Sequence, residues 1–250
     1  MNRRRLFANL WPVDTSSMIT TSSAPAARAP SPRLWLGLKP SEAMVMAGVS
    51  LLVLAASYRS WWSIGVAEAC GFVTGGVCVW LVVREHLWNW PVGLANNIFF
   101  FVLFLRGRLY ADMSLQIVYF GLGVYGWWNW IFGGENRTAL KISRTTKAEW
   151  ASLAIAIPVC TWGLREVLLA INDAAPLWDS LTTILSLAAQ YLLCRKRFEN
   201  WAFWIAADVV YVPLYLSRKL PLTAILYAVF LLMCLVGVRE WRRSMRKERE

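Results

Sequence analysis

REHLWNWPVGLANN at residues 84–97 lies over RKRFENWAFWIAAD at residues 195–208 when the chain is shifted against itself by 111 positions. Carried forward without a gap, the two segments run 84–130 and 195–241 and share eleven of 47 residues: Arg84/Arg195, Asn89/Asn200, Trp90/Trp201, Ala95/Ala206, Leu103/Leu214, Leu105/Leu216, Leu109/Leu220, Leu115/Leu226, Val118/Val229, Gly126/Gly237 and Trp130/Trp241. Leucine matches mean little in so apolar a chain, where composition alone gives about four or five identities. The Asn-Trp pair, the glycine and the closing tryptophan carry the repeat. Upstream, Glu68 falls on Asp179. Self-similarity at a fixed period marks a duplicated structural unit.

The unit is helical and apolar. Of 250 residues, 58% are hydrophobic, 16% are charged and sixteen are tryptophan, a composition unsuited to a soluble domain. Eight apolar runs stand out, at about 40–57, 62–83, 89–105, 109–132, 148–170, 176–194, 200–216 and 220–238. Each approaches the ~20 residues that a helix rising about 1.5 Å per residue needs to cross about 30 Å of hydrocarbon. Each repeat takes three spans, and the span at 148–170 returns the chain so that both repeats run the same way. The expected fold is therefore an all-α integral membrane protein, a 3+1+3 helix bundle of two parallel triple-helix repeats plus one extra N-terminal transmembrane helix. The repeats are expected to be related by an axis along the membrane normal.

Along the chain this gives a disordered cytoplasmic tail at 1–38, the extra helix at 39–60, the first repeat at 61–132, a linker with the connecting helix at 133–172, the second repeat at 173–242 and a basic cytoplasmic tail at 243–250. The first tail, with MNRRRLFANLWPVDTSS and then SSAPAARAPSP, lacks the apolar stretch of a signal peptide. Met18 and Met44 stand as alternative starts.

Charge sets the orientation. Eight spans put both termini on one side, and twenty of the 26 Lys and Arg lie there; only Arg59, Arg106, Arg108, Arg165, Arg218 and Lys219 lie on the other. Basic residues near span ends stay cytoplasmic, so both termini are expected in the cytoplasm. The net charge of +11 is this bias, and the short arginine runs read as juxtamembrane anchors rather than a nucleic-acid surface. Five cysteines without a CxxC pair and a lone His86 make no metal site. HExxH, GxSxG and GxxxxGK[ST] are absent, which speaks against an enzyme and against an ATP-driven pump, and no cofactor is expected.

The strings WNWPVGLANN, YADMSLQIVYFGLGVYGWWNW and NWAFWIAADVVYVPLYLSRKLPLTAILYAVF resemble the nicotinamide riboside transporter PnuC family, whose core is similar to two fused sugar-transporter (SWEET-type) triple-helix bundles. The resemblance covers roughly 62–242. It implies uptake of nicotinamide riboside by facilitated diffusion through alternating access, at a bacterial inner (plasma) membrane. A cytoplasmic kinase, needing no direct contact, would trap the imported product. The implied partners are thus a small-molecule substrate and the lipid bilayer, with a homo-oligomer compatible. Another vitamin or nucleoside (thiamine, riboflavin, a deoxynucleoside) and ion coupling through Asp208 are the alternatives within this class. A receptor or scaffold sharing the fold would bind without flux.

Polar residues inside the spans name a binding site. Asn96 and Asn97 lie about two helical turns into the third span, and Asn97 falls on Asp208 in the second repeat. Polar groups at that depth need partners in the bundle or a ligand, and a carboxylate there is the strongest functional signal. The interhelical tie is the competing reading for either asparagine. Trp201, Trp204, Asp208, Tyr211 and Tyr215 follow steps of three and four, one helical face. Asp179, Thr182, Thr183, Ser186 and Gln190 form a second stripe, where the first repeat has mostly Gly71, Phe72, Gly75 and Val79. This asymmetry suggests that the second repeat holds the ligand and the first lets helices approach closely. Thr182 and Ser186 equally suit bonds to their own helix. Gln116, with Asp112 on the same helix, and Tyr227 complete the polar candidates, while Trp127 and Trp204 are placed deep enough to stack on a ligand ring. The expected substrate-binding set is Asn96, Asn97, Gln116, Trp127, Asp179, Thr183, Gln190, Trp204, Asp208, Tyr211 and Tyr227. It suits a cationic pyridinium carrying a carboxamide and ribose hydroxyls.

Overall fold

The computed structural model describes residues 40–59, 66–106, 108, 110–219 and 221–248. The tail expected at 1–38, Met18 included, and residues 60–65 lie outside the described residues. Among the described residues there are eight long helices: α1 Pro40–Tyr58, α2 Val66–Val83, α3 Asn89–Arg106, α4 Tyr110–Phe132, α5 Lys147–Ala170, α6 Pro176–Cys194, α7 Asn200–Ser217 and α8 Pro221–Lys247. Local signals set their ends. Thr146 and Glu149 cap α5 reciprocally, with each side chain taking the other residue's backbone N–H, and Pro176 opens α6 where a backbone N–H would have no partner within the helix anyway. The residues read as a basic tail continue α8 as far as Lys247. No Gly or Pro follows Trp241 to stop the helix, and cations suit its C-terminal end.

The outside of the bundle is apolar. Ile155 and Val159 on α5 and Ile225 and Leu232 on α8 are 60–68% exposed. The most apolar windows of these two helices are only 11% and 17% buried, which is the reverse of a soluble core helix. Such faces match lipid, so the chain is an integral membrane protein.

Six helices close a ring in which α2 packs on α3, α3 on α4, α4 on α6, α6 on α7, α7 on α8, and α8 back on α2. A shift of 111 residues exchanges α2 with α6, α3 with α7 and α4 with α8, and the ring maps onto itself. Outside it, α1 packs on α2 as α5 packs on α6. The helix read as an extra and the helix read as a linker therefore hold equivalent places, in two successive four-helix units.

Atomic detail repeats as well. Glu85 (φ 53°) and Lys196 (φ 50°) both turn left-handed after α2 and α6, and Arg108 (φ 58°) and Lys219 (φ 59°) do so after α3 and α7. A left-handed conformation costs a non-glycine residue about 1–2 kcal/mol, so something must hold these turns. His86 N–H donates to Leu81 O and Arg197 N–H to Leu192 O, both at 2.8 Å; the Asn89 and Asn200 side chains donate to His86 O and Arg197 O at 2.8 and 2.6 Å. Trp90 then lies against Gly126 and Trp201 against Gly237, where any β-carbon would run into the indole. Trp90 meets Trp130 edge-on at 5.4 Å and 84°, and Trp201 meets Trp241 at 5.4 Å and 85°.

These tryptophans also join the halves. Trp130 Nε1 donates to Leu193 O at 2.9 Å and Trp241 Nε1 to Val82 O at 3.0 Å, so each repeat holds a carbonyl of the other. All four tryptophans are at most 4% exposed, in one cluster with Val82, Leu193 and Cys234. This apolar plug lies at the end of the ring where the α2–α3 and α6–α7 turns meet. Over it, the α4–α5 connection is stitched to the α6–α7 turn by Ser143 N–H to Lys196 O (3.1 Å) and Phe198 N–H to Ser143 O (2.9 Å).

Candidate substrate cavity

Inside the ring lies a cavity of about 420 Å³, walled by all six helices. Counterparts under the 111-residue shift line it together: Val82 with Leu193, Trp90 with Trp201, Gly93 with Trp204, Asn97 with Asp208, Phe100 with Tyr211 and Gln116 with Tyr227. The cavity thus sits where the two repeats meet. Near the plug the counterparts are alike. Deeper they differ, and at three pairs the second repeat carries the larger or more polar member: Ser186 opposite Gly75, Gln190 opposite Val79, Trp204 opposite Gly93.

Asp208 is 4% exposed. Its Oδ2 accepts from the Cys234 thiol at 3.6 Å, a weak donor, and no Lys or Arg stands among the described lining residues. A carboxylate so placed favours a cation or strong donors in the cavity. Three other wall groups are buried without a protein partner: Asn96 Oδ1 and the indole Nε1 of Trp90 and of Trp201. At the end away from the plug, Tyr211 lies 4.5 Å from Tyr227, and Tyr215 stacks on both at 5.7 and 5.1 Å. The Tyr211–Tyr215 stack (24°) is matched in the first repeat by Phe100–Phe104, at 5.6 Å and 23°.

Eight of the eleven expected binding residues line this cavity: Asn96, Asn97, Gln116, Gln190, Trp204, Asp208, Tyr211 and Tyr227. Three do not. Trp127 packs against the plug cluster. Asp179 faces Arg218, with Oδ2 2.6 Å from a guanidinium nitrogen. Thr183 is half-buried on α6 beside Thr182, whose hydroxyl donates to its own helix at Trp178 O and Asp179 O (2.9 and 3.2 Å). The wall also includes Phe100, Tyr119, Phe230 and Cys234, outside the expected set. The repeat itself points to them: Tyr119 is the counterpart of Phe230, and Phe100 that of Tyr211.

The profile of the family described as nicotinamide mononucleotide transporter matches residues 65–243. The nicotinamide riboside transporter PnuC of Escherichia coli (strain K12) is 27% identical over 211 residues, covering 72% of this chain and 86% of that protein. The riboflavin/roseoflavin transporter RibM of Streptomyces davaonensis is 28% identical over 187 residues, covering 73% and 87%. Among solved structures, the crystal structure of the vitamin B3 transporter PnuC superposes with a TM-score of 0.65 at 23% identity, covering 87% of this chain and 99% of that one.

Proposed function

The chain belongs to the nicotinamide mononucleotide transporter family, and from that premise we propose that it carries nicotinamide riboside inward across a bacterial inner membrane by facilitated diffusion. One observation carries the choice of compound: among the described residues the cavity wall holds a single carboxylate, Asp208, on the same helix face as Trp204, and no basic residue. A flat cationic ring can stack on the indole while the carboxylate offsets its charge. None of the described wall residues offers a counter-charge to phosphate, which favours the dephosphorylated nucleoside over the mononucleotide. The volume lies within the ~300–1,000 Å³ of small-molecule sites. Asn97, Gln116 and Gln190 supply donors and acceptors for a carboxamide and a ribose.

The transport framework is the 3+1+3 bundle, with its two triple-helix units parallel about an axis normal to the membrane. The reciprocal Trp130 and Trp241 bonds support a twofold exchange, and equivalent turns meeting in one plug support units that run the same way. The plugged end, where the basic turns cluster, is the cytoplasmic one, and both termini lie on that side. Trapping by a cytoplasmic kinase needs no contact with the chain. RibM's match keeps a neutral flavin as the second reading.

Uptake into liposomes containing the purified protein decides between them. Labelled nicotinamide riboside is expected to enter and to be displaced by its unlabelled form far better than by riboflavin, thiamine or deoxynucleosides. Preferential entry of riboflavin would overturn the assignment. A cationic substrate by itself makes flux follow membrane potential; dependence on a proton gradient at fixed potential would assign ion coupling instead.

A further inference from the structure

Glu85 and Lys196 are counterparts under the 111-residue shift, and they touch, with Lys196 Nζ 2.8 Å from Glu85 Oε2. Equivalent residues in contact with each other straddle the axis that relates them. The cavity straddles the same axis, because counterparts face each other across it. The ion pair therefore lies on the axis at the plugged end, beyond the cavity wall. Val82 and Leu193 lie three residues back along their helices, line the cavity, and offer the carbonyls that the two indoles hold. Lys196 Nζ also donates to Leu140 O at 3.1 Å and lies 4.8 Å from the centre of the Trp130 ring. Its side chain is 11% exposed and that of Glu85 24%.

We propose that the Glu85–Lys196 pair is the latch of the cytoplasmic gate, made while this end is closed and broken when the cavity opens inward. The geometry suits that task. Each turn is held within its own repeat by the His86 or Arg197 N–H bond and by a tryptophan seated on glycine, so it can move as a rigid corner. Across the axis the turns meet through this ion pair and the two indole N–H bonds, beside the packed Trp130–Trp241 contact, so opening breaks these polar links and parts the two indoles while each corner keeps its own bonds. Two identical units would set like charges together on the axis, whereas here acid meets base. The inference rests on the transport reading only in requiring a cytoplasmic exit, and its test needs no substrate.

Cys78 and Cys234 line the cavity and report its access. Full-length protein in inside-out vesicles is treated with a membrane-impermeant maleimide, and modification of the two peptides is followed by mass spectrometry, with unfolded protein as the complete reaction. Glu85→Gln and Lys196→Met are each expected to label at least about fivefold faster than the wild type. The exchanged pair, Glu85→Lys with Lys196→Glu, is expected to return to within about twofold of it. Thermal midpoints on the same preparations separate opening from unfolding. Wild-type labelling rates in both neutral variants, no labelling in either, or an exchanged pair as open as the single variants would overturn the proposal.

Discussion

Asp208 and Trp204 lie one turn apart on α7, and their counterparts, Asn97 and Gly93, are an uncharged amide and a bare glycine. Replacing Trp204 by Ala is expected to weaken binding of nicotinamide riboside by roughly 1–2 kcal/mol, about five- to thirtyfold. Asp208→Asn keeps shape and removes charge, so it should weaken a cationic nucleoside far more than an uncharged analogue with the same ribose. Calorimetric titration of both ligands checks this, and equal losses for the two would leave Asp208 a helix tie. Helical faces and the repeat named eight residues that line the cavity, but they also named Asp179 and Thr183, which do not, and depth in the span named Trp127, which packs on the plug. A helical stripe says which side chains share a face but not which neighbour that face meets, and Arg218 stands 39 residues beyond Asp179.

The turns between helices carry the architecture, and they were only half visible. Asn89/Asn200 and Trp90/Trp201 were readable as matches because the left-handed corner needs the same amide and the same indole in both repeats. Glu85/Lys196 was invisible as a match, since the pair works by being unlike. The equivalence of α1 and α5 was hidden too, because a lipid-facing helix needs only apolarity and keeps no residue pattern. One loop contact is testable by pH. Burial of the Glu199 carboxyl, just before α7, favours its neutral form, but the Thr145 backbone N–H and hydroxyl and the Arg144 guanidinium more than offset this and hold it below the usual 4.5. The resulting stabilisation is present above that value and lost as pH falls through the lowered one. Thermal midpoints between about pH 6 and pH 3 should therefore fall more steeply for the wild type than for Glu199→Gln. Parallel slopes would show that the carboxylate holds nothing in place.

At the scale of the whole molecule, one ring of six helices is shared by two units that each hold the other's backbone. Cut between α4 and α5, at Gly134, the chain yields two four-helix halves. Neither half is expected to bind nicotinamide riboside alone. Co-expressed, the two should co-purify and recover binding, since the plug needs both sets of tryptophans; binding by a lone half would refute the shared cavity. The same clasp has a bearing on how the protein is made. Trp241 and the Val82 carbonyl that it grips are 159 residues apart in the chain. During synthesis α2 must therefore sit in the membrane with its seam open until the last helix has left the ribosome, so the nascent chain spends most of its insertion as an unsealed half-ring. Its yield in cells should depend on whatever insertase or chaperone shields that seam.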